Sequence, residues 1–319
     1  MFFRRAFGGF AFGLLGAAVL LLSALPAGAS TSVSACGTLS VAGNYVLTKN
    51  LTSSGTCITI TVEGVSLDMK KHSIKGNGTG DGISDGASHL DSMAIANGKI
   101  SGFSVGIDLS TSCCVVIKNV NSSNNTTIGI KVGRCCSTLD SVTADNNGGD
   151  GIEAFDCCFT LNKVEAKNNH GDGINATSCC TSISNSTITG NTGDGVSATS
   201  CCNFLVSSTV KKNGGDGVDM SGCCNFVVGS ALSGNKGTGI DLSGDDNLVT
   251  NSKVSKNSGD GIDLSTDENQ IVNSQSNSNG GTGANVGCPG AITSFKAKGN
   301  KGGQLNTTGG TCTQLNNNT

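Results

Sequence analysis

Residues 171–192 read GDGINATSCCTSISNSTITGNT, and residues 193–214 read GDGVSATSCCNFLVSSTVKKNG. Both stretches open on Gly-Asp-Gly and carry an adjacent cysteine pair at the same two places. The same 22-residue step positions six such pairs along the chain: Cys113 and Cys114, Cys135 and Cys136, Cys157 and Cys158, Cys179 and Cys180, Cys201 and Cys202, Cys223 and Cys224. A step this regular predicts one structural unit stacked on itself as a solenoid.

Two further columns keep the same step. An asparagine recurs at Asn125, Asn147, Asn169, Asn191, Asn213, Asn235, Asn257 and Asn279. A glycine recurs at Gly129, Gly151, Gly173, Gly195, Gly217, Gly239, Gly261 and Gly283. The repeat outlasts the cysteines, because Asp245–Asp246 and Asp267–Glu268 fill the cysteine slots of the next two repeats.

Apolar residues fall in three columns per repeat. The first follows the glycine and comprises Ile152, Ile174, Val196, Val218, Ile240 and Ile262. The second runs through Leu139, Leu161, Ile183, Leu205, Val227, Val249 and Ile271, and the third through Ala144, Ala166, Ile188, Val210, Leu232 and Val254. Alternation of apolar and polar residues is typical of strands with one buried face. Three short strands per rung, stacked in parallel ~4.8 Å apart, predict an all-β right-handed parallel β-helix.

The Gly-Asp-Gly-Ile repeats with their stacked asparagines resemble the parallel β-helix repeats of the pectin-lyase-like superfamily. Residues 65–76, VSLDMKKHSIKG, resemble the opening coil of its secreted members. The resemblance covers residues 36–287 and implies the fold. It leaves the function open, because the superfamily includes lyases, hydrolases, epimerases, adhesins and structural chains.

The first 29 residues have the features of a secretory signal peptide. A basic start at Arg4 and Arg5 precedes an apolar run, and Ala27-Gly28-Ala29 is a small-residue cleavage site. No later stretch approaches the ~20 apolar residues of a membrane span. We therefore expect a secreted, periplasmic or extracellular protein. The expected divisions are a signal peptide at 1–29, an N-terminal cap at 30–62, β-helix repeats at 63–287 and a C-terminal cap and tail at 288–319.

Composition argues against nucleic acid as a partner. The chain has a net charge of −3 and no tryptophan, Tyr45 is the one tyrosine, and Arg134 is the one arginine beyond the signal segment. It therefore lacks both a basic field and an aromatic stacking platform. The 48 glycines fit many tight turns, because glycine adopts positive φ without strain. The asparagine column is expected to be scaffold, with stacked amides bonded to one another.

The sixteen cysteines fall into two groups. Cys36 with Cys57, and Cys288 with Cys312, bracket the two ends and are expected to be disulfides in an exported chain. The twelve paired cysteines leave three interpretations open. They could form an inert packed stack, a ladder of disulfides between neighbouring rungs, or a soft-metal site of four thiols from two rungs.

Catalytic motifs of the enzymes on this fold are missing from the sequence. Pectate lyases carry Arg-x-Pro-x-x-Arg, polygalacturonases carry Gly-His-Gly and Arg-Ile-Lys, and alginate epimerases carry Asp-Pro-His-Glu. Lys167, His170 and Asp172 fall at one turn and are the candidates for a base with its orienting group. The alternative is a solvated turn.

Carboxylates accumulate on two neighbouring rungs as Asp241, Asp245, Asp246, Asp263, Asp267 and Glu268. Like charges stacked at rung spacing repel, and Ca²⁺ would relieve that repulsion. Calcium is thus the candidate cofactor at these carboxylates, and a solvated acidic edge is the alternative.

Together these features predict an exported, non-catalytic β-helix that is structural or binds a polysaccharide or another cell-surface component. A lyase, hydrolase or epimerase acting on an acidic polysaccharide is the alternative function.

Overall fold

The computed structural model describes residues 29–86 and 89–319, so the predicted signal peptide lies almost entirely outside the described residues. The described residues form strands and turns without a helix, and the strands pair in parallel in three sheets. Each circuit of the chain, here called a rung, adds strands to the first two sheets, and from Glu165 onward also to the third. No described helix is long and apolar enough to cross a bilayer.

Sheet 1 has 13 strands. They are Gly37–Leu39, Ile58–Ile60, Asp81–Asp85, Val105–Leu109, Ile130–Val132, Ile152–Cys157, Ile174–Cys179, Val196–Thr199, Val218–Ser221, Ile240–Ser243, Ile262–Leu264, Ala284–Cys288 and Leu305–Gly309. The strands pair in sequential order, as expected of a solenoid.

Sheet 2 has 16 strands. They are Thr31–Val33, Gly43–Leu47, Leu51–Thr52, Val65–Asp68, Ser73–Lys75, Ala94–Ser101, Val116–Ser122, Thr138–Asp140, Thr160–Asn162, Ser182–Ser184, Phe204–Val206, Phe226–Val228, Leu248–Thr250, Gln270–Val272, Ala291–Thr293 and Thr313–Leu315. Sheet 3 has seven strands. They are Glu165–Lys167, Thr187–Thr189, Thr209–Lys211, Ala231–Ser233, Lys253–Ser255, Gln275–Asn277 and Lys296–Lys298.

The three predicted apolar columns form the core. Ile152, Ile174 and Val196 are register partners in sheet 1 and are fully buried. The columns through Leu161 and Ala166 are buried to the same degree. Because each rung presents its apolar side chains to the same interior, the 22-residue period is also the period of the core. The predicted right-handed parallel β-helix is confirmed.

Two early rungs lack the separate third strand that the sequence predicts for every rung. In those rungs one long strand, Ala94–Ser101 or Val116–Ser122, spans the two segments that form separate strands in later rungs, one in sheet 2 and one in sheet 3. Both bend in mid-strand, where Asn97 and Asn119 adopt φ of 59° and 53°. Asparagine tolerates this left-handed conformation better than most residues. The bend makes one strand continuous around a corner, and this corner shapes the groove described below.

The asparagine column is a continuous amide ladder, as predicted. Asn147 donates its side-chain N–H to Oδ1 of Asn169 at 3.0 Å, and Asn169 does the same to Asn191 at 2.9 Å. Each Oδ1 also accepts the backbone N–H of the asparagine below it. The ladder continues to Asn300, one position beyond the predicted column. These bonds satisfy turn groups that have no partner in a sheet.

The positive φ expected of glycine occurs at turn positions such as Gly190 and Gly234, whereas the glycine column is selected by close packing. Gly173 does not adopt positive φ. A Cβ built there would lie 2.3 Å from Cγ2 of Ile188 and 2.7 Å from the carbonyl oxygen of Gly195. Glycine is therefore required by the close approach of neighbouring rungs, whereas the left-handed corners are occupied by residues such as Asn168 and Lys212.

Disulfides close both ends of the described solenoid. Cys36 is bonded to Cys57, and Cys288 to Cys312, with Cα–Cα distances of 4.6 and 5.0 Å. These are the pairings expected from the sequence. They join neighbouring rungs at the two places where a solenoid exposes an open edge.

Candidate functional site: a basic groove and an acidic face

A groove of about 630 Å³ lies along the bend of the two long strands. Its lining residues share a polar or small character: Lys71, Asn97, Gly98, Lys99, Asn119, Val120, Asn121, Ser141 and Thr143. The bend produces the groove because consecutive rungs turn outward at Asn97, Asn119 and Ser141, each with positive φ. We call it the basic groove.

The chemistry of the basic groove is that of an anion and hydroxyl receptor. Lys71 and Lys99 are exposed, and no carboxylate lies among the lining residues. The amides are fixed in position: Nδ2 of Asn119 donates to Oδ1 of Asn97 at 3.1 Å, and Nδ2 of Asn97 donates to Oδ1 of Asp68 at 3.1 Å. This arrangement leaves two mobile ammonium groups beside a rigid row of amides and hydroxyls.

A second polar surface lies along sheet 1 and the turn that precedes each of its strands. Its first column consists of the Gly-Asp-Gly aspartates in that turn. Oδ1 of Asp150 accepts the backbone N–H of Asp172 at 2.7 Å, and Oδ1 of Asp172 accepts that of Asp194 at 2.7 Å. Asp216 and Asp260 bond the next rung in the same way, through the N–H groups of Thr238 and Thr282. These carboxylates tie neighbouring rungs together.

The second column comprises Asp219, Asp241 and Asp263, which are register partners with side chains directed outward. Together with Asp172, Asp194, Asp216 and Asp260 of the first column it forms what we call the acidic face, defined as Asp172, Asp194, Asp216, Asp219, Asp241, Asp260 and Asp263.

Several carboxyls of the acidic face have raised pKa values. Burial, together with repulsion from Asp263 and Asp219, raises the pKa of Asp241 to about 6. Burial and repulsion from neighbouring aspartates likewise raise the pKa of Asp172 to about 6, although a hydrogen bond from the backbone N–H of Asp194 opposes the shift. At neutral pH the face therefore holds carboxylates that are costly to ionise together.

The six carboxylates of the predicted calcium site divide into two groups. Asp241 and Asp263 lie on the acidic face, half-buried. Asp245, Asp246, Asp267 and Glu268 are exposed at the turn that follows. Across residues 29–86 and 89–319, no group of three or more His, Cys, Asp or Glu side chains is arranged to hold a metal ion. Calcium binding stays a prediction.

The catalytic candidates do not form a linked group in the described structure. Lys167 makes an ion pair with Glu165 on its own strand. His170 is exposed, and its backbone N–H donates to the carbonyl of Asn147. No hydrogen bond or ion pair joins the side chains of Lys167, His170 and Asp172, although all three lie in the described part of the chain. The arrangement lacks the contact between a base and its orienting group that general base catalysis uses.

The paired cysteines line a turn between sheets 1 and 2, and we call this line the cysteine ridge. One inter-rung disulfide is present in it, between Cys113 and Cys135. The other ten cysteines are free and are exposed or partly exposed. These ten cysteines therefore lie outside the core, and their redox and metal state stays a prediction.

Two features were missed by the sequence analysis, one on the outer surface and one buried. Phe204 and Phe226 stack with their ring centroids 4.9 Å apart on the outside of sheet 2. A second column of buried asparagines begins directly after the cysteines. Nδ2 of Asn203 donates to Oδ1 of Asn225 at 3.0 Å, and the column continues because the backbone N–H groups of Asn225 and Asn247 donate to Oδ1 of Asn247 and Asn269. The signal was an asparagine recurring at the 22-residue step in the position after the cysteine pair.

The family model for the right-handed beta helix region matches residues 172–319. Among curated proteins the sequence comparison finds no match. Three solved structures illustrate the structural similarity. The A-module of the mannuronan C-5 epimerase AlgE4 from Azotobacter vinelandii is 15% identical, with 89% of this chain and 86% of that chain covered and a TM-score of 0.58.

The periplasmic alginate epimerase AlgG is 12% identical, with 91% of this chain and 84% of that chain covered and a TM-score of 0.62. The catalytic domain of a GH87 alpha-1,3-glucanase is 13% identical, with coverages of 91% and 63% and a TM-score of 0.52. Similarity at these identities establishes the fold. With the parallel sheets and the three buried columns, it shows that the chain folds as a right-handed parallel β-helix, and the family model matches residues 172–319 of it.

Proposed function

We propose that this protein is an exported, non-catalytic, carbohydrate-associated β-helix that binds an acidic polysaccharide in the basic groove. The observation that carries the proposal is the pairing of the exposed Lys71 and Lys99 with a fixed row of amides and hydroxyls, without a carboxylate in the lining. Each ammonium group matches a sugar carboxylate, and the amides and hydroxyls match sugar hydroxyls. The carbohydrate enzymes among the structural neighbours support a carbohydrate ligand.

The location of the groove also suits a polymer. It runs across successive rungs, so a chain lying along the helix axis meets a polar side chain at each rung, at Asn97, Asn119 and Ser141, with rungs ~4.8 Å apart. Polar corner residues continue beyond the groove: Asn162 bonds Asp140, and Asn185 bonds Asn162 at 3.0 Å. Repeated weak contacts of this kind favour a repeating ligand through multivalency.

The experiment is affinity electrophoresis of the mature protein through gels containing a polyuronide, a sulfated polysaccharide or a neutral glucan. The proposal expects retardation by the polyuronide, weakened by salt because the attraction is electrostatic. Charge reversal at Lys71 and Lys99 should abolish the retardation. Equal mobility in polyuronide and neutral gels at low ionic strength would contradict the proposal.

The acidic face favours a second candidate, an enzyme acting on a polysaccharide. Asp172 and Asp241 have pKa values of about 6, a range suited to proton transfer near neutral pH. Against this, Oδ1 of Asp172 already accepts a backbone N–H, which is a scaffold role. The test is incubation with the same polysaccharides, followed by measurement of reducing ends, unsaturated products and uronate epimer ratio. Turnover that is lost in both Asp172→Asn and Asp241→Asn would establish the enzyme.

A further inference from the structure

Two couples of first cysteines are held at disulfide distance by strand pairing. Cys113 and Cys135 are bridge partners and are disulfide-bonded, with a Cα–Cα distance of 4.9 Å. Cys157 and Cys179 stand in the same relation, because they are register partners at the ends of two paired strands of sheet 1. Parallel strand spacing of ~4.8 Å lies within the 4.4–6.8 Å Cα window of disulfides.

The second cysteines are fixed by the backbone. Each adopts positive φ, for example 52° at Cys158 and 62° at Cys180. Their N–H groups donate to the carbonyl of the next rung: Cys158 to Cys179 at 2.8 Å, and Cys180 to Cys201 at 3.1 Å. This bond holds the turn in register from rung to rung. Cys136, Cys158 and Cys180 consequently occupy the same turn position on three successive rungs.

The length of the ridge determines which cysteines can pair. Each column contains six cysteines, and neither continues: Asp91 is the bridge partner below Cys113, and Asp245 occupies the slot above Cys223. Because Cys135 is bonded to Cys113, Cys157 can pair within its column only with Cys179. Cys201 is then left with Cys223. The alternative pairing joins Cys135 to Cys157 and Cys179 to Cys201. It would leave one cysteine unpaired at each end of the column.

We propose that the cysteine ridge is an oxidation site that closes five further disulfides and staples the rungs in couples. The bonds are Cys157–Cys179 and Cys201–Cys223 in the first column, and Cys114–Cys136, Cys158–Cys180 and Cys202–Cys224 in the second. Each couple of rungs then carries two staples, and no staple crosses from Cys135 to Cys157 or from Cys179 to Cys201. The proposal is independent of the proposed function.

The chemistry is thiol–disulfide exchange with a small-molecule disulfide such as oxidised glutathione. One protein thiolate attacks the reagent and forms a mixed disulfide, releasing one small thiol. The partner thiolate then attacks the protein sulfur and releases the second. Each staple transfers two electrons to the reagent, and the two thiol protons end on the released thiols. The exposure of Cys157, Cys158, Cys179 and Cys180 gives the reagent access.

The test oxidises the mature protein with a glutathione redox buffer, blocks remaining thiols in denaturant, and weighs the intact chain. We expect none of the sixteen cysteines to be blocked before reduction. Proteolysis before aspartate then separates the rungs from Cys135 upward, because Asp140, Asp172, Asp194 and Asp216 lie between successive pairs. Trypsin separates Cys113 from Cys135 at Lys118 and Lys131.

Two variants distinguish the proposed pairing from the alternative one. In Cys179→Ser the freed thiol should be Cys157, with Cys201–Cys223 intact, and in the matched Cys180→Ser it should be Cys158. Peptides joining the Cys135 rung to the Cys157 rung, or freed Cys201 in Cys179→Ser, would overturn the assignment. Three other results would overturn the proposal. They are ten thiols that can still be blocked after oxidation, disulfides between adjacent cysteines of one pair, and release of a stoichiometric metal ion as the thiols become reactive.

Discussion

Asn191 is bound twice by Asn213: Oδ1 of Asn213 accepts both the side-chain N–H and the backbone N–H of Asn191, each at 3.0 Å. Both residues are buried. One side-chain oxygen thus satisfies two donors that water cannot reach, and the same relationship recurs along the ladder.

Replacement of Asn213 by alanine should strongly destabilise the protein, because it leaves two buried donors of Asn191 unsatisfied. Each such donor costs about 1–3 kcal/mol. Thr192→Ala is the control, since Thr192 is exposed and adjacent in sequence. Surface substitutions of that kind usually stay within about 0.5 kcal/mol. Chemical denaturation measures both, and equal midpoints for the two variants would contradict the scaffold role of the ladder.

Substitution of Gly195 by alanine should be among the most damaging changes in the chain. The added Cβ would lie 2.3 Å from Cγ1 of Val210 and 2.5 Å from the carbonyl oxygen of Gly217. Overpacking of this kind typically costs about 1–3 kcal/mol. At Gly55 a Cβ would meet nothing within 4 Å, so Gly55→Ala is the control. Thermal melts that fall equally for both variants would show that close rung contact is not what selects glycine.

The acidic face predicts that stability falls as the pH rises from 5 to 7. The pKa values of Asp172 and Asp241 are raised to about 6 in the folded protein, and an unfolded aspartate titrates near 3.9. Their contribution is thus fully present below the unfolded value and is lost as the pH rises through 6. Asp241→Asn should flatten this dependence in melting experiments, whereas the exposed Asp267→Asn should not. A melting temperature that rises between pH 5 and 7 would contradict the assignment.

Calcium binding should raise the melting temperature at pH 7. Ligand at a hundredfold excess over its dissociation constant stabilises the folded state by ~2.7 kcal/mol. The structure separates the candidate ligands, so we compare Asp241→Asn/Asp263→Asn on the acidic face with Asp245→Asn/Asp267→Asn at the exposed turn. If one double variant loses the calcium-dependent rise in melting temperature, the ion is assigned to the two carboxylates changed in that variant. An unchanged wild-type melt in millimolar calcium would show a solvated acidic surface instead.

The sequence predicted the structure best in the part of the chain that keeps the 22-residue repeat. The columns through Ile174 and Asn191 were predicted because stacked rungs place equivalent residues in equivalent surroundings. The basic groove was not, because Lys71 and Lys99 precede the regular repeat and are brought together by backbone bends. The acidic face was only partly anticipated, since Asp194 and Asp216 belong to the Gly-Asp-Gly turn while Asp241 belongs to the strand. The turn aspartates and the strand aspartates lie side by side only because of the path by which the turn leads into sheet 1, and the sequence does not give that path.

The central claim is that Lys71 and Lys99 bind an acidic polysaccharide, and calorimetric titration with a uronate oligomer tests it most directly. We expect Lys71→Glu/Lys99→Glu to weaken binding by at least about tenfold, because a hydrogen bond to a charged group contributes about 1.5–3 kcal/mol. Lys212→Glu/Lys256→Glu makes the same charge change at exposed positions outside the groove and should bind like the wild type. Equal affinities in all three proteins, or no heat of binding in the wild type, would contradict the claim.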